Sequence, residues 1–535
     1  MLKDIFYSNK YDSNIFIKNE NKAYTLFEIK NLIKTRCTEI KEKPKNVVIF
    51  EDDNFSFIIN FFASIFTEKT IYLLDSKQKI SNLDFEYFLL NKEINNKKSD
   101  YEFGEIDFDY VNINFYTSGS TSKPKIFKKS INNLLYEARD NKEEFKIKEN
   151  NLEFITTTIL QHLFSLTFFL MFPLVNIDKN YIINTNKIYY PDNIDTDNSV
   201  LVSTPVFLET IKKFDINLIN PPKYIISAGS KLDNDIFSYL EKYSNIIEIY
   251  GSTETGVVAH KTKSNENLII FKNVKVNKSG DKTIVKSAYF PEDFIEINDE
   301  LEIKGSELFF KKRKDNVLKI YDKRIYSDEI EEILNKNENI LKSYCFKCDE
   351  KLACFAVLSE AGKEYLIKYG ISRLKTVLKK YLKGKFDIVP QKWRFGDTMP
   401  VNIRGKINKE YIEELFNINF SFPVVLDRKM SEDLMEFKLF IDKSSNFFDG
   451  HFPEFPIVPG VAQLYLAEFF IKHYLSSEIH FEQIKKIKFS NIIKPDSIVY
   501  LKLEKNNGNI KFEYHNQKTY SCAIFIEDNK TKEEV

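Results

Sequence analysis

Tyr116-Thr-Ser-Gly-Ser-Thr-Ser-Lys-Pro-Lys125 gathers four hydroxyl side chains, Thr117, Ser118, Ser120 and Thr121, around Gly119 and closes on Lys125. Residues of these types can wrap a polyphosphate. Glycine lets the backbone approach closely, N–H groups and hydroxyls donate, and the lysine neutralises charge. The same composition also suits a solvated surface loop. What precedes it gives a position: in residues 110–116, Val111, Ile113 and Phe115 alternate with polar residues, as in a half-buried strand. A strand feeding a hydroxyl-rich glycine loop is the usual placement of a nucleotide-phosphate site.

The order of residues in this loop resembles the phosphate loop of the adenylate-forming ligases, the acyl-CoA synthetase superfamily. Their pattern is Thr-Ser-Gly-Ser/Thr-Thr-Gly-x-Pro-Lys, and Ser122 stands here in place of the second glycine. A second stretch, Ile247-Glu-Ile-Tyr-Gly-Ser-Thr-Glu-Thr-Gly256, resembles that superfamily's Tyr-Gly-x-Thr-Glu motif without a departure. Its chemistry suits the role the resemblance implies. Tyr250, next to Gly251, can stack on a base, Thr253 can donate to a phosphate, and Glu254 is a hard oxygen ligand for Mg²⁺.

Further segments follow in the family's order. In Tyr224-Ile-Ile-Ser-Ala-Gly-Ser-Lys-Leu232 a strand runs into a small-residue turn, and the resemblance implies that Gly229 and Ser230 border adenine. In residues 298–315, Asp299 aligns with the aspartate that holds both ribose hydroxyls, and Asp293 competes for that place. Arg313 aligns with the arginine that reaches ribose or phosphate, and Asp315 with the hinge. Met399-Pro-Val-Asn-Ile-Arg-Gly-Lys406 matches a Pro-x-Asn-x-x-Gly-Lys motif whose lysine delivers a cation to developing charge. Asp322 replaces a glycine beyond the hinge. His162, within an apolar stretch, is either a core histidine or a border of the carboxylate-substrate pocket. The likeness covers about residues 15–418.

From about residue 421 the pattern changes. Asp449-Gly-His-Phe-Pro-Glu-Phe-Pro-Ile-Val-Pro-Gly-Val461 resembles the signature of the hotdog-fold 3-hydroxyacyl-carrier-protein dehydratases, over most of residues 425–530. Its prolines fix a rigid loop, which would aim His451 into a thioester tunnel. The amides of Gly460 and Val461 would polarise the thioester carbonyl. The dehydratases carry an acidic residue 14 positions after the histidine; here Tyr465 stands there, and Glu468 lies one helical turn further on the same face. Pro459-Gly-Val-Ala-Gln-Leu464 is similar to the form found in dehydratase-like domains of aryl-polyene pathways.

These elements need a scaffold. The first 110 residues alternate helix and strand: residues 27–34 and 55–66 have helical character, and 46–50 and 69–74 read as short buried strands. That rhythm predicts a doubly wound α/β sheet. The expected architecture is multidomain: an α/β adenylate-forming large subdomain over 1–313, a small α+β subdomain over 314–418, and an α+β hotdog domain over 419–535. The apolar segment 154–175 is interrupted by Thr156, Gln161, His162 and Ser165, which predicts a buried helix and no integral membrane segment.

Composition narrows the function classes. In 535 residues, Lys+Arg and Asp+Glu both total 78, so no net field draws nucleic acid or an anionic membrane. The N-terminus has no apolar core of signal-peptide length. Five cysteines form no disulfide framework, and Cys345 and Cys348 read as strand residues, not as a metal pair. A cytoplasmic enzyme is expected.

The resemblance implies ATP- and Mg²⁺-dependent activation of a carboxylic acid and transfer to the thiol of coenzyme A or an acyl carrier protein. Lys406 would stabilise charge in the first step, and rotation about Asp315 would then open a path for phosphopantetheine. The hotdog half would dehydrate a 3-hydroxyacyl thioester with His451 and Glu468, as a homodimer. Alternatives are a hotdog domain that only docks and dimerises, a hotdog thioesterase, and a non-catalytic nucleotide binder.

Overall fold

The computed structural model describes residues 2–50, 53–74, 86–90, 94, 99–117, 125–186, 188, 197–213, 220–279, 282–313, 317–320, 323–401, 407–417, 422–431, 434–451, 454–474, 481–506 and 509–527. The described chain falls into two compact units, one of residues up to 313 together with Val401, the other of residues 317–400 and 407–527.

Among its described residues the first unit has two large sheets and a small antiparallel one of Lys275–Ser279, Lys282–Lys286 and Ile295–Ile297. A five-stranded sheet runs Phe88–Leu89, Asn46–Ile49, Thr70–Leu73, Asn112–Thr117, Lys125–Ser130. Its first four strands are parallel, and the last turns back antiparallel with Thr117 opposite Lys125. Helix Leu26–Ile40 leads into the first of its strands in sequence, and helix Asn54–Phe66 joins Asn46–Ile49 to the parallel Thr70–Leu73, as the βαβ rhythm predicts. Asn54–Phe66 is buried on every side, which fits its lack of charge. The larger sheet has eleven strands among the described residues. At its centre Glu153–Thr156, Ser199–Ser203, Tyr224–Ser227 and Asn245–Ser252 run parallel. Gly256–Lys261 then returns antiparallel, and the sheet continues through Leu268–Ile270 and Glu307–Arg313 to Asp299–Lys304.

The segment 154–175 departs from the expected single helix. It begins as the strand Glu153–Thr156, turns, and becomes helical from Leu163, with a π-helical stretch over Leu166–Met171. A short apolar run reads alike as buried strand or buried helix, and the hydroxyl residues between mark the turn. The Thr158 and Ser165 hydroxyls meet across that turn. Phe168 and Phe169 are core residues, at 1% and 0% exposure.

The second unit holds both the small subdomain and the C-terminal sheet. The small subdomain has a three-stranded sheet, Ile340–Cys348, Lys351–Leu358 and Lys392–Gly396, with helices Ser327–Leu334, Glu360–Leu382 and Lys409–Asn417. Cys345 and Cys348 lie on the first of these strands and enter two different apolar clusters. No metal-holding group of His, Cys, Asp or Glu occurs among the described residues. The C-terminal domain is a six-stranded antiparallel sheet in the order Val424–Met430, Leu434–Ile441, Ser497–Asn506, Asn509–His515, Thr519–Glu527, Phe481–Phe489. Helix Gly460–Tyr474 buries Ala467, Phe470 and Ile471 against Phe437, Leu501 and Phe512 of that sheet. A sheet wrapped on one long helix is the hotdog arrangement.

The small subdomain and the hotdog domain share a core. Val424, Leu426 and Phe440 from the hotdog strands pack in one cluster with Leu374, Trp393 and Phe395. Arg428 forks onto Asp397, with its Nε donating to Oδ2 at 2.8 Å and a second N–H donating to Oδ1. Helix Glu360–Leu382 kinks at Gly370, and the freed N–H of Ile371 donates to the Asp442 carboxylate at 2.7 Å. The expected break near residue 418 is therefore not a break between independent cores.

No helix among the described residues is long and apolar enough to cross a membrane.

Candidate functional site

In the first unit, the parallel strand Asn245–Ser252 carries Tyr250 out of the sheet interior to its end, where Gly251 is exposed and Tyr250 half-buried. The chain then makes a tight turn and returns as Gly256–Lys261. Ser252 and Thr255 tie that turn reciprocally: each backbone N–H donates to the other's hydroxyl at 3.2 Å. Gly256 sits at φ 70°, and a Cβ there would lie 2.9 Å from a Glu137 carboxylate oxygen. Thr253 and Glu254, half-buried, are the residues the turn presents.

Tyr250 donates its hydroxyl hydrogen bond to the Asp299 carboxylate. Asp299 opens the strand Asp299–Lys304 and faces Arg313 across the antiparallel ladder. The side chain of Arg313 lies outside the described residues. Asp293, the competing aspartate, is exposed on a loop. Nearby in the same sheet, strand Tyr224–Ser227 ends in a turn whose Gly229 is exposed at φ 103°, a backbone region that strongly favours glycine. Ser230 is exposed beside it. The next turn residue, Leu232, donates its N–H to Glu248 Oε1 at 2.7 Å, and Lys261 pairs with the same carboxylate at 3.2 Å. So one buried carboxylate on the Tyr250 strand fixes the Gly229 turn beside it.

Sequence reasoning missed the support beneath the Glu254 turn. Lys129 is 1% exposed. Its ammonium donates to the carbonyls of Tyr289 at 2.7 Å and Glu254 at 3.1 Å. Glu137 accepts from Val257 N at 3.1 Å, and its other oxygen has no hydrogen bond. Burial pulls Lys129 down and pushes Glu137 up, while each partly offsets the other's shift by attraction. A signal was present. Along Lys125–Ser130 the exposed residues are Ile126 and Lys128, so strand alternation sends Lys129 inward.

Other expected residues are placed only in part. Thr117 and Lys125 are paired backbone positions at the two ends of the hairpin, and their side chains are not described. Ser118, Gly119, Ser120, Thr121, Asp315 and Lys406 lie outside the described residues. His162 stands just before helix Leu163–Ser165, with extended backbone, so it is not on the helix as expected. It is half-buried, and its backbone is held by Ile159 O and Leu166 N.

In the second unit, His451 follows Gly450 in a turn. Its N–H donates to Phe448 O at 3.3 Å, and its Nδ1 lies 3.2 Å from Asp449 O. A contact to Nδ1 leaves the other ring nitrogen, Nε2, for exchange chemistry. The loop's proline run is anchored through Gln463, which is 3% exposed. Its Nε2 donates to Val458 O at 3.0 Å and its Oε1 accepts from Ser521 at 2.6 Å. Tyr514 OH donates to its carbonyl at 3.2 Å. Tyr465 is 45% exposed on the helix. Glu468 is bound to Lys472 at 2.6 Å, one turn along, so its carboxylate is already engaged.

The first unit's donor set fits a magnesium nucleotide. A glycine turn leaves room for a flat base, Asp299 offers two oxygens suited to a diol, and Glu254 offers a hard ligand held by a rigid turn.

Comparison with known proteins finds a match in each half. Residues 68–284 match the AMP-binding enzyme family, and residues 427–524 match the ApeI dehydratase family. Probable polyketide synthase 25 of Dictyostelium discoideum is 25% identical over 256 residues, 46% of this chain. The chain spans only 10% of the length of that synthase. An anthranilate CoA ligase solved with anthranoyl-AMP superposes with a TM-score of 0.60 at 12% identity, over 77% of this chain and 96% of that one. A benzoate CoA ligase from Burkholderia xenovorans gives 0.60 at 14%, over 76% and 98%. ATP-bound MatB from Rhodopseudomonas palustris gives 0.58 at 13%, over 78% and 98%. A region that matches AMP-binding enzymes, on the fold of the adenylate-forming CoA ligases, and a C-terminal region that matches the ApeI dehydratase family thus share this polypeptide.

Proposed function

We propose that the chain joins a carboxylic acid to a phosphopantetheine thiol at the expense of ATP, and that its C-terminal domain dehydrates a 3-hydroxyacyl thioester. The observation that carries the first half is the Tyr250–Asp299 contact beside the exposed Gly229 turn; Tyr250 and Gly229 lie within the region that matches AMP-binding enzymes, and Asp299 lies 15 residues beyond its end. Tyr250, Gly229 and Ser230 would border the base, and Asp299 and Arg313 the ribose. Thr253 and the loop from Thr117 to Lys125 would hold the phosphates. Glu254 would hold Mg²⁺, which when bound supplies charge neutralisation on the phosphates. The acid's carboxylate would attack the α-phosphate and expel pyrophosphate, with Lys406 opposite the developing charge. The thiol of a carrier protein or coenzyme A would then displace AMP. His162 borders the acid in this reading, and Asp315 is the hinge.

In the C-terminal domain, His451 would exchange the proton and the helix start at Gly460 would polarise the thioester carbonyl. Edge strand Phe481–Phe489 exposes Ile484, Ile487 and Phe489, and the helix exposes Val461 and Tyr465. An apolar edge of this kind favours pairing with a second copy, and we assign the domain as a homodimer. Fatty-acid-like or aryl-polyene-like synthesis in the cytoplasm is the setting that combines the two reactions.

One observation favours a second reading. Tyr465 occupies the acidic position, and Glu468 is tied to Lys472. A docking and dimerisation domain needs neither as a free acid. Two variants of the full chain test both halves. Lys406→Ala should suppress pyrophosphate release far more than thiol transfer from preformed adenylate; equal loss in both contradicts the role. His451→Ala should abolish conversion of a 3-hydroxyacyl thioester to the enoyl thioester. If the unmodified chain gives no enoyl product, the docking reading stands; if it gives free acid, the domain is a thioesterase.

A further inference from the structure

Between the small subdomain's sheet and the hotdog strands, inside the second unit, lies a cavity of about 480 Å³, within the size range of small-molecule sites. Of the segments assigned above to the ligase or the dehydratase chemistry, it meets only Pro400, at the start of the Lys406 motif. Its charge is lopsided. Lys375, Lys392, Arg394 and Arg428 line it, against Asp397 and Asp442. Both acids are committed: Asp397 is forked by Arg428, and Asp442 caps Ile371 and binds Ser444. Lys392 is held by Asp349 at 2.6 Å. For Lys375, no carboxylate lies within 4.0 Å among the described residues. Burial, and then the neighbouring Arg394 charge, lower its pKa. Burial likewise pushes Arg394 down to about 10. Two cations thus share one partly desolvated space with aromatic walls that include Tyr411, Phe416, Phe422 and Tyr474. The Arg394 guanidinium lies 5.9 Å from the Phe416 ring centre.

A net-positive cavity walled by ring faces selects for an anion that can also stack. We propose that this junction binds a small aromatic carboxylate, with its carboxylate between Lys375 and Arg394 and its ring among the aromatic side chains. The ligand would sit on the core shared by the two domains and stiffen their join. Trp393 also lines this cavity and is the single tryptophan of the chain, so its fluorescence reports on this site.

Titration of the full-length chain with 4-nitrobenzoate, a ring that quenches tryptophan, tests the proposal. A saturable quench is expected, weakened about tenfold or more in both Lys375→Met and Arg394→Gln, as loss of a charge-assisted hydrogen bond produces. Lys375→Arg should keep most of the affinity. Neutral nitrobenzene should bind at least about tenfold more weakly than the acid, by the same reasoning. A linear, non-saturating quench would overturn the proposal. So would equal affinity in both cation-removing variants while their melting temperatures match the parent. Displacement by inorganic phosphate alone at similar concentration would mark a plain anion site and overturn the aromatic assignment.

Discussion

Replacing Lys129 by methionine tests how the Glu254 turn is positioned. The ammonium makes two charged hydrogen bonds, to Tyr289 O and Glu254 O. Methionine nearly conserves the volume and withdraws both. A buried carbonyl deprived of its donor costs about 1–3 kcal/mol, so two cost roughly 2–6 kcal/mol. Relief of the buried charge returns part of that. The net expectation is a loss of about 1–4 kcal/mol in unfolding free energy. The functional consequence follows from geometry: the carbonyl of Glu254 loses its anchor, and displacement of about 1 Å at a reacting site costs on the order of a hundredfold. Pyrophosphate release by Lys129→Met should fall by roughly 10- to 100-fold, with a raised Mg²⁺ requirement. Lys128→Met, altering an exposed neighbour on the same strand, should change neither quantity. A Lys129→Met chain that loses stability yet keeps its turnover and Mg²⁺ dependence would refute the positioning argument.

Three further outcomes follow from the geometry. Asp397→Ala leaves Arg428 buried without the carboxylate it forks onto, and should cost about 3–5 kcal/mol in denaturant unfolding; adding Arg428→Met should recover most of that, and additive losses would contradict the pairing. Gly256→Ala forces a side chain into φ 70° and against Glu137, so it should cost about 2 kcal/mol or more by thermal melt. Glu331 is pushed up to about 8, chiefly by burial. The unfolded chain releases this proton near pH ~4.3, while the folded chain keeps it to higher pH. Stability therefore falls as pH rises from ~5 to about 8, because the folded state binds the extra proton. Glu331→Gln keeps an acceptor for Cys345 N–H and should flatten that decline by roughly 2 kcal/mol; an unchanged pH profile would contradict it.

What the sequence made legible is what local pattern encodes. Alternation in residues 110–116 and the helix–strand rhythm before them became the five-stranded sheet. The Tyr250 and Asp299 segments, 49 positions apart, were recognisable separately because each carries its own motif, and the fold brought them into contact. Three features were not legible, each for a physical reason. Lys129 sits in a lysine-rich stretch that reads as a solvated face, and only its inward phase on the strand reveals it. The polar residues of the 154–175 run follow neither a two-residue nor a 3.6-residue period, so periodicity does not separate its strand from its helix. The join between small subdomain and hotdog rests on Arg428–Asp397 and Asp442–Ile371, pairs 31 and 71 positions apart. Contacts at such separations leave no periodic trace. The same join explains why a cut at residue 418 would expose Val424, Leu426 and Phe440, and why tests of the hotdog chemistry belong on the full chain.

ATP-dependent pyrophosphate release by the purified chain, measured across aryl and fatty acids with and without an acyl carrier protein, tests the central claim most directly. Release that depends on one acid class, and that Lys406→Ala suppresses, is the predicted result. Bound ATP with no release across the panel would contradict it, leaving a nucleotide-binding protein whose only chemistry resides in the hotdog domain.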